Sequence, residues 1–156
     1  MNNKNKVNEL LNSIEEQLTS NKTIRLAAET ARSYYKRRFR EKEWNGTPWK
    51  KGEDKKTGSL LIKSSALLNS IQISKVTKDS ATITAGNSKV AYAKIHNEGF
   101  KGRGMVKSHV RRTKNGKRSK VKSFSKKINM PKRQFIGTNK QLEEQIVARI
   151  ENSIKL

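Results

Sequence analysis

The sequence predicts an α+β fold: a small antiparallel β-sheet packed against N-terminal and C-terminal helices, with a basic β-hairpin projecting as an arm. Three observations predict it. Apolar residues recur at helical spacing at both ends of the chain. Strict two-residue alternation occupies residues 71–85. A long segment near residue 115 combines a hairpin-turn signal with almost no apolar residues.

The first helix is read from Val7, Leu10, Leu11, Ile14 and Leu18, which form one stripe among Asn, Glu and Gln. Thr19, Ser20 and Asn21 interrupt it and can cap a second helix. Ile24, Ala27, Ala28, Ala31, Tyr35 and Phe39 then form one face up to about Glu43, the alanines small enough for close packing. Arg37, Arg38 and Arg40 fall near the helix C-terminus, where the dipole favours cations, and are read as a solvated helix end. Residues 44–56 are a loop with turn formers Asn45-Gly46 and Pro48; Trp44 and Trp49 are expected to tuck beneath it as a satellite cluster.

Leu60, Leu61, Ala66, Leu67 and Leu68 precede a β section, with one helical turn at 65–70. Ile71 and Ile73 alternate with polar residues, as do Ala81, Ile83 and Ala85, and Lys78-Asp79 turns between them. Val90 to His96 continues the section and Asn97-Glu98-Gly99 stops it. A second hairpin covers 100–129, with Val106 and Val110 in one arm, Val121 in the other and Asn115-Gly116 at the turn. Thr138 with Gln141 has capping-box spacing for a last helix striped by Leu142, Ile146, Ile150 and Ile154. The organisation is one domain, 1–156: helices to 43, loop and hairpin core 44–99, basic arm 100–129, and a motif plus helix at 130–156. Ile71, Ile73, Ile83, Phe135, Ile146 and Ile150 are the expected core.

Charge bounds the function. The chain carries 36 Lys and Arg against 13 Asp and Glu, a formal charge of +23, with only 32% hydrophobic residues. Between Glu98 and Glu143 there is no acid, but fifteen lysines and arginines. Such a ribbon cannot bury enough apolar surface to be stable alone and is expected to be ordered by a partner. That partner is either nucleic acid, through phosphate neutralisation without sequence preference, or an acidic protein surface. There is no cysteine. The start, MNNKNKVNELL, has no apolar signal core and no stretch approaches transmembrane length, so synthesis and assembly in a cytoplasm, away from membrane, are expected.

Enzyme chemistry finds little support. His109 has no nearby carboxylate in sequence. His96 and Glu98, two apart on a strand, would point the same way, but a second catalytic partner is missing and His96 is read as structural. Gly102-Arg103-Gly104 lacks the context of a phosphate loop, Glu53-Asp54 is a solvated turn, and nothing has metal-ligand spacing. No catalytic residue, cofactor or metal is expected.

Four motifs then run in series: Gly46-Thr47-Pro48-Trp49; Leu67-Leu68-Asn69-Ser70-Ile71; Tyr92-Ala93 with His96 and Gly99; and Met130-Pro131-Lys132-Arg133-Gln134-Phe135-Ile136-Gly137 before the last helix. Over residues 30–155 the chain resembles the virion morphogenesis, or tail-completion, proteins of Mu-like tailed phages. These carry G-x-P-W, L-x-x-S-I, Y-A-x-x-H-x-x-G and I-P-A-R-P-F-L-G in this order. Ser65 stands where that family has Gly, and Lys132 and Gln134 replace Ala and Pro. The resemblance implies a structural role at the head–tail junction of a virion, assembled in the host cytoplasm. It implies a homo-oligomeric, hexameric ring that meets tail tube or sheath proteins and the head connector, with duplex DNA passing through its lumen. Pro48, Trp49, Tyr92, His96, Gly99, Pro131, Phe135 and Gly137 become the structural motif residues. Arg133, on a rigid base, is expected to reach a neighbour's carboxylate, and Lys107, Arg111, Arg112, Lys117, Arg118, Lys120 and Lys122 to make partner contacts. The rival reading is a stand-alone basic protein that binds nucleic acid non-specifically through residues 100–129.

Overall fold

The computed structural model describes residues 3–18, 21–51 and 59–154; for residues 3–5, 17 and 18 it describes the backbone only. The expected Thr19-Ser20 cap and the Glu53-Asp54 turn lie outside the described residues, as does the side chain of Leu18. The chain is α+β. Helix α1 spans Asn3–Leu18 and α2 spans Asn21–Glu41. The strands β1 (Glu43–Trp44) and β2 (Thr47–Pro48) make a tight hairpin, whose Asn45 and Gly46 both have positive φ. A single turn, α3 (Ala66–Asn69), leads into β3 (Gln72–Val76) and β4 (Ala81–Thr84). Then come α4 (Ala93–Glu98), β5 (Phe100–Val106), β6 (His109–Arg112), β7 (Arg118–Val121), β8 (Phe124–Met130) and α5 (Lys140–Glu151).

The β part is divided into four two-stranded antiparallel ladders, β1-β2, β3-β4, β5-β8 and β6-β7. The long α2 is the spine. It packs on β3 and β4 on one side and on α5 on another. Its inner face is wider than the alanine stripe alone, because Tyr34 is as buried as Phe39. One core cluster joins Tyr34, Tyr35 and Phe39 of α2 to Trp44, Trp49, Leu67, Ile71, Val90, Ala93, Phe135 and Leu142. The tryptophans therefore belong to the main core and not to a satellite: Trp44 stacks on Tyr35 at 6.3 Å and Trp49 meets Phe39 edge-on at 5.5 Å.

Several expectations change in detail. Ile71 and Phe135 are fully buried, but Ile73, Ile83, Ile146 and Ile150 are half-buried, because the β3-β4 ladder and the terminal helix each pack on α2 by one face only. Residues 93–98 are helical, not extended, with Val90 and Ala93 turned to the core. The cap of α5 is Asn139, one residue later than Thr138; its Oδ1 accepts the Gln141 amide at 2.8 Å while its Nδ2 donates to the buried Tyr34 hydroxyl. Arg38 is buried, not solvated. It lies over the Tyr34 ring at 4.3 Å and pairs with Glu41 and Glu43, so its charge is met inside the fold. Arg37 donates to Gln145 at 2.7 Å, and Arg40 is exposed.

Candidate functional site

Two regions carry the chemistry: a junction built from residues 130–139, and the basic ribbon that leaves it. The junction is where three distant motifs meet. Phe135 inserts against Phe39 at 5.0 Å and has no exposed surface. Trp49 Nε1 donates to the Gln134 carbonyl at 2.8 Å, and the Tyr35 hydroxyl donates to the Gly137 carbonyl at 3.0 Å. From the other side, the Arg133 amide donates to the His96 carbonyl at 2.8 Å, and Asn97 Oδ1 accepts both the Phe135 and Ile136 amides. Residues 133–137 belong to no helix or strand, so their backbone groups need such partners to be buried without cost.

Gly99 closes the same junction. Its φ is +80°, and a Cβ there would stand 2.9 Å from the backbone nitrogen of Lys132. Both the conformation and the approach require glycine. The chain thus turns from α4 straight into β5, beside the place where β8 returns. The spacing from Tyr92, which caps α4, to His96 within it sets the two side chains one above the other, their rings edge-on at 5.6 Å. Glu98, two residues from His96, projects about 200° around the helix and is exposed, so the two do not form an acid–base pair. Burial, and then the nearby Arg133 cation, holds the His96 imidazole below its ordinary range and so neutral.

Arg133 corrects the expectation most clearly. It is 4% exposed and turned inward. Its Nε donates to the Lys50 carbonyl at 2.9 Å and its Nη1 approaches the Met130 sulfur at 3.9 Å. The side chain ties the loop after β2 to the junction, leaving little of it for a neighbour's carboxylate. Desolvation lowers its pKa. Asn97, by contrast, reads in sequence only as part of the Asn97-Glu98-Gly99 stop of a β section, and nothing local marks it as the acceptor for two amides nearly forty residues away.

The ribbon is a long antiparallel ladder. Phe100 pairs with Met130 and Val106 with Phe124; after a break, His109 pairs with Val121 and Arg112 with Arg118. At about 3.4 Å per residue, the thirteen positions from 100 to 112 give a contour of roughly 40 Å. The Thr113 amide donates to the Lys117 carbonyl, and Lys114-Asn115-Gly116 forms a three-residue loop with Gly116 at φ +75°. No residue from 100 to 132 is buried. Lys107, Arg111, Arg112, Lys117, Arg118, Lys120 and Lys122 are all exposed.

Two features of the ribbon emerge only from the register. Directly paired residues share a face, so Arg112 stands opposite Arg118 and Arg103 opposite Lys127. Like charges in such pairs disfavour the ladder. On the β5-β8 ladder, Phe100, Val106, Phe124, Ile128 and Met130 share one face with Lys126, and Lys101, Arg103 and Lys127 share the other with Met105. Gly102 and Gly104 make room on the apolar face: a Cβ at either would lie 2.6 Å from the Phe100 ring or the Ile128 side chain. Phe100 and Phe124 nevertheless remain 41% and 47% exposed.

The motif series also fits a known family. The model of the phage virion morphogenesis family matches residues 2–155, nearly the whole chain. Comparison with curated proteins and with solved structures returns no match. Among the described residues, no helix is long and apolar enough to cross a membrane.

Proposed function

We propose, from the premise that this chain belongs to the phage virion morphogenesis family and is therefore a virion-associated assembly protein, that it is a structural component of the head–tail junction. In this reading it forms a homo-oligomeric ring, hexameric as the resemblance implies, that joins the tail to the connector. It acts by binding and positioning, with no catalysis. The observation that carries the reading is the ribbon: a paired ladder without one buried residue, free of acids and with like charges opposed across its rungs. A segment of this kind gains little from its own domain, and its ordering energy comes from outside the subunit.

Residues 101–128 then act as an arm that reaches an adjacent subunit or a tail protein. Some of its cations face the lumen, where phosphates attract them without regard to sequence. The junction at 130–139 supplies a rigid base for that arm, because its backbone is held by Trp49, Tyr35, His96 and Asn97. The test is excision of Lys107–Lys122, closed by an Asn-Gly turn. The core should fold with an unchanged melt while ring or neck assembly weakens. Normal assembly by the excised protein would overturn the arm.

A further inference from the structure

We propose that the free edge of β3 takes an extended, acidic segment of another protein as a third strand. The inference goes beyond the ring reading and does not depend on it, since one chain carries the whole site. β3 pairs with β4 along one edge, and that ladder has no further strand. Among the described residues, the backbone of 72–76 bonds to nothing outside the ladder. A strand edge in this state offers a row of donors and acceptors to another chain.

An open groove follows that edge. It holds about 570 Å³ between α2 and β3. All five residues of β3 line it, and none of β4 does. A strand face shows only alternate residues, so five consecutive ones mark the edge. The far wall is α2, through Arg25, Glu29, Arg32 and Lys36. Their spacing of i, i+4, i+7 and i+11 sets them in one row along the helix. Arg25 is exposed, and Arg32 and Lys36 are half-buried.

Charge selects the occupant. The groove presents Arg25, Arg32, Lys36 and Lys75 against one acid, Glu29, which already pairs with Arg32 at 2.7 Å. Among the described residues, Arg25, Lys36 and Lys75 meet no carboxylate. An acidic strand answers both needs: its main chain pairs with β3, and its alternate carboxylates face the row on α2. A second copy does not fit. Of its strands only β1 holds an acid, Glu43, and Arg38 engages it. Its arm, free of acid between Glu98 and Glu143, would bring cations to cations. The register slip between Ile73 and Lys75, with Lys75 itself, guards the edge against such self-pairing. Nucleic acid fits less well, because the carbonyls of a strand edge repel phosphate and a phosphodiester has no N–H to offer them.

The experiment uses the full chain and three short synthetic peptides. The first alternates Glu with Val and Thr. The second has Lys in place of Glu. The third is the first with its backbone amides N-methylated, which keeps the charge and removes the pairing. The Glu peptide should bind and slow amide hydrogen exchange at 72–76, and the other two should bind about tenfold or more weakly. Arg25→Glu with Lys36→Glu should weaken the Glu peptide by a similar factor. Exchange in the parent chain needs no variant, and it decides if the charge-reversed chain melts abnormally. No binding of the Glu peptide, equal binding of the N-methylated one, or protection that falls outside 72–76 would overturn the added strand. Undiminished affinity in a folded charge-reversed chain would overturn the role of the α2 row. Stronger protection of 72–76 by duplex DNA than by the Glu peptide would assign the groove to nucleic acid and overturn the peptide partner.

Discussion

Asn97 holds Phe135 in place across 38 residues: its Oδ1 accepts the Phe135 amide at 3.0 Å and, with its second lone pair, the Ile136 amide at 3.1 Å. One side chain on α4 thereby satisfies two consecutive amides of an irregular segment and fixes the approach of the Phe135 ring to Phe39. The base of the ribbon and the foundation of the core are one structural unit.

Asn97→Ala should therefore cost roughly 2–3 kcal/mol, since two partly buried amides lose their acceptor. Asn97→Asp keeps an acceptor oxygen and should cost less. Chemical denaturation of both variants checks this. Equal stability of the alanine variant and the parent would show that the two bonds contribute nothing.

The core and the ribbon should respond very differently to truncation. Phe135→Ala removes a fully buried ring and should cost about 3–5 kcal/mol, enough to unfold a domain of ordinary stability. Val110→Ala removes two methyl groups from a residue that is 62% exposed and should stay within about 0.5 kcal/mol. A thermal melt of each compares them. A large loss at Val110 would mean that the ribbon packs on its own domain.

The contrast also marks what the sequence reveals. The stripes of α1, α2 and α5 and the alternation of β3 and β4 are legible because their periods are local. The turn near Asn115-Gly116 is legible for the same reason. Residues 90–96 mislead, since Val-Ala-Tyr-Ala alternates like a strand, while the helix there is fixed by Val90 and Ala93 in the core and by the His96 carbonyl meeting Arg133. The inward turn of Arg133 is equally hidden, as its acceptor is a backbone carbonyl more than eighty residues away. The apolar face of the β5-β8 ladder needs the register, which no local pattern specifies.

His96 gives the fold a pH signature. Burial lowers its pKa, so the unfolded state takes up a proton before the folded state does. Stability is then complete above the ordinary histidine value of 6.5 and falls as pH drops through the lowered folded value. His96→Gln should flatten this fall between about pH 8 and about pH 5 while leaving assembly largely intact. Parallel melting curves for variant and parent over that range would contradict the assignment. Loss of all function in a folded, assembling variant would reopen a catalytic role.

Cations facing a DNA lumen should bind without base recognition. Affinity for duplex DNA should be independent of sequence and fall steeply with salt. Replacing Arg111, Arg112, Arg118 and Lys120 with alanine should reduce the salt slope by about 0.9 for each phosphate contact removed. An unchanged slope, or a clear sequence preference, would count against a lumenal role for the ribbon.

The proposed role rests on position and form: a ring of this chain between head and tail. A reconstruction of the particle's head–tail junction tests it most directly. The expected density is a closed ring of this fold between connector and tail, the 101–128 arm of each copy touching a neighbour or a tail protein. Particles that lack this chain at the junction, or that carry it there as isolated copies, would contradict it.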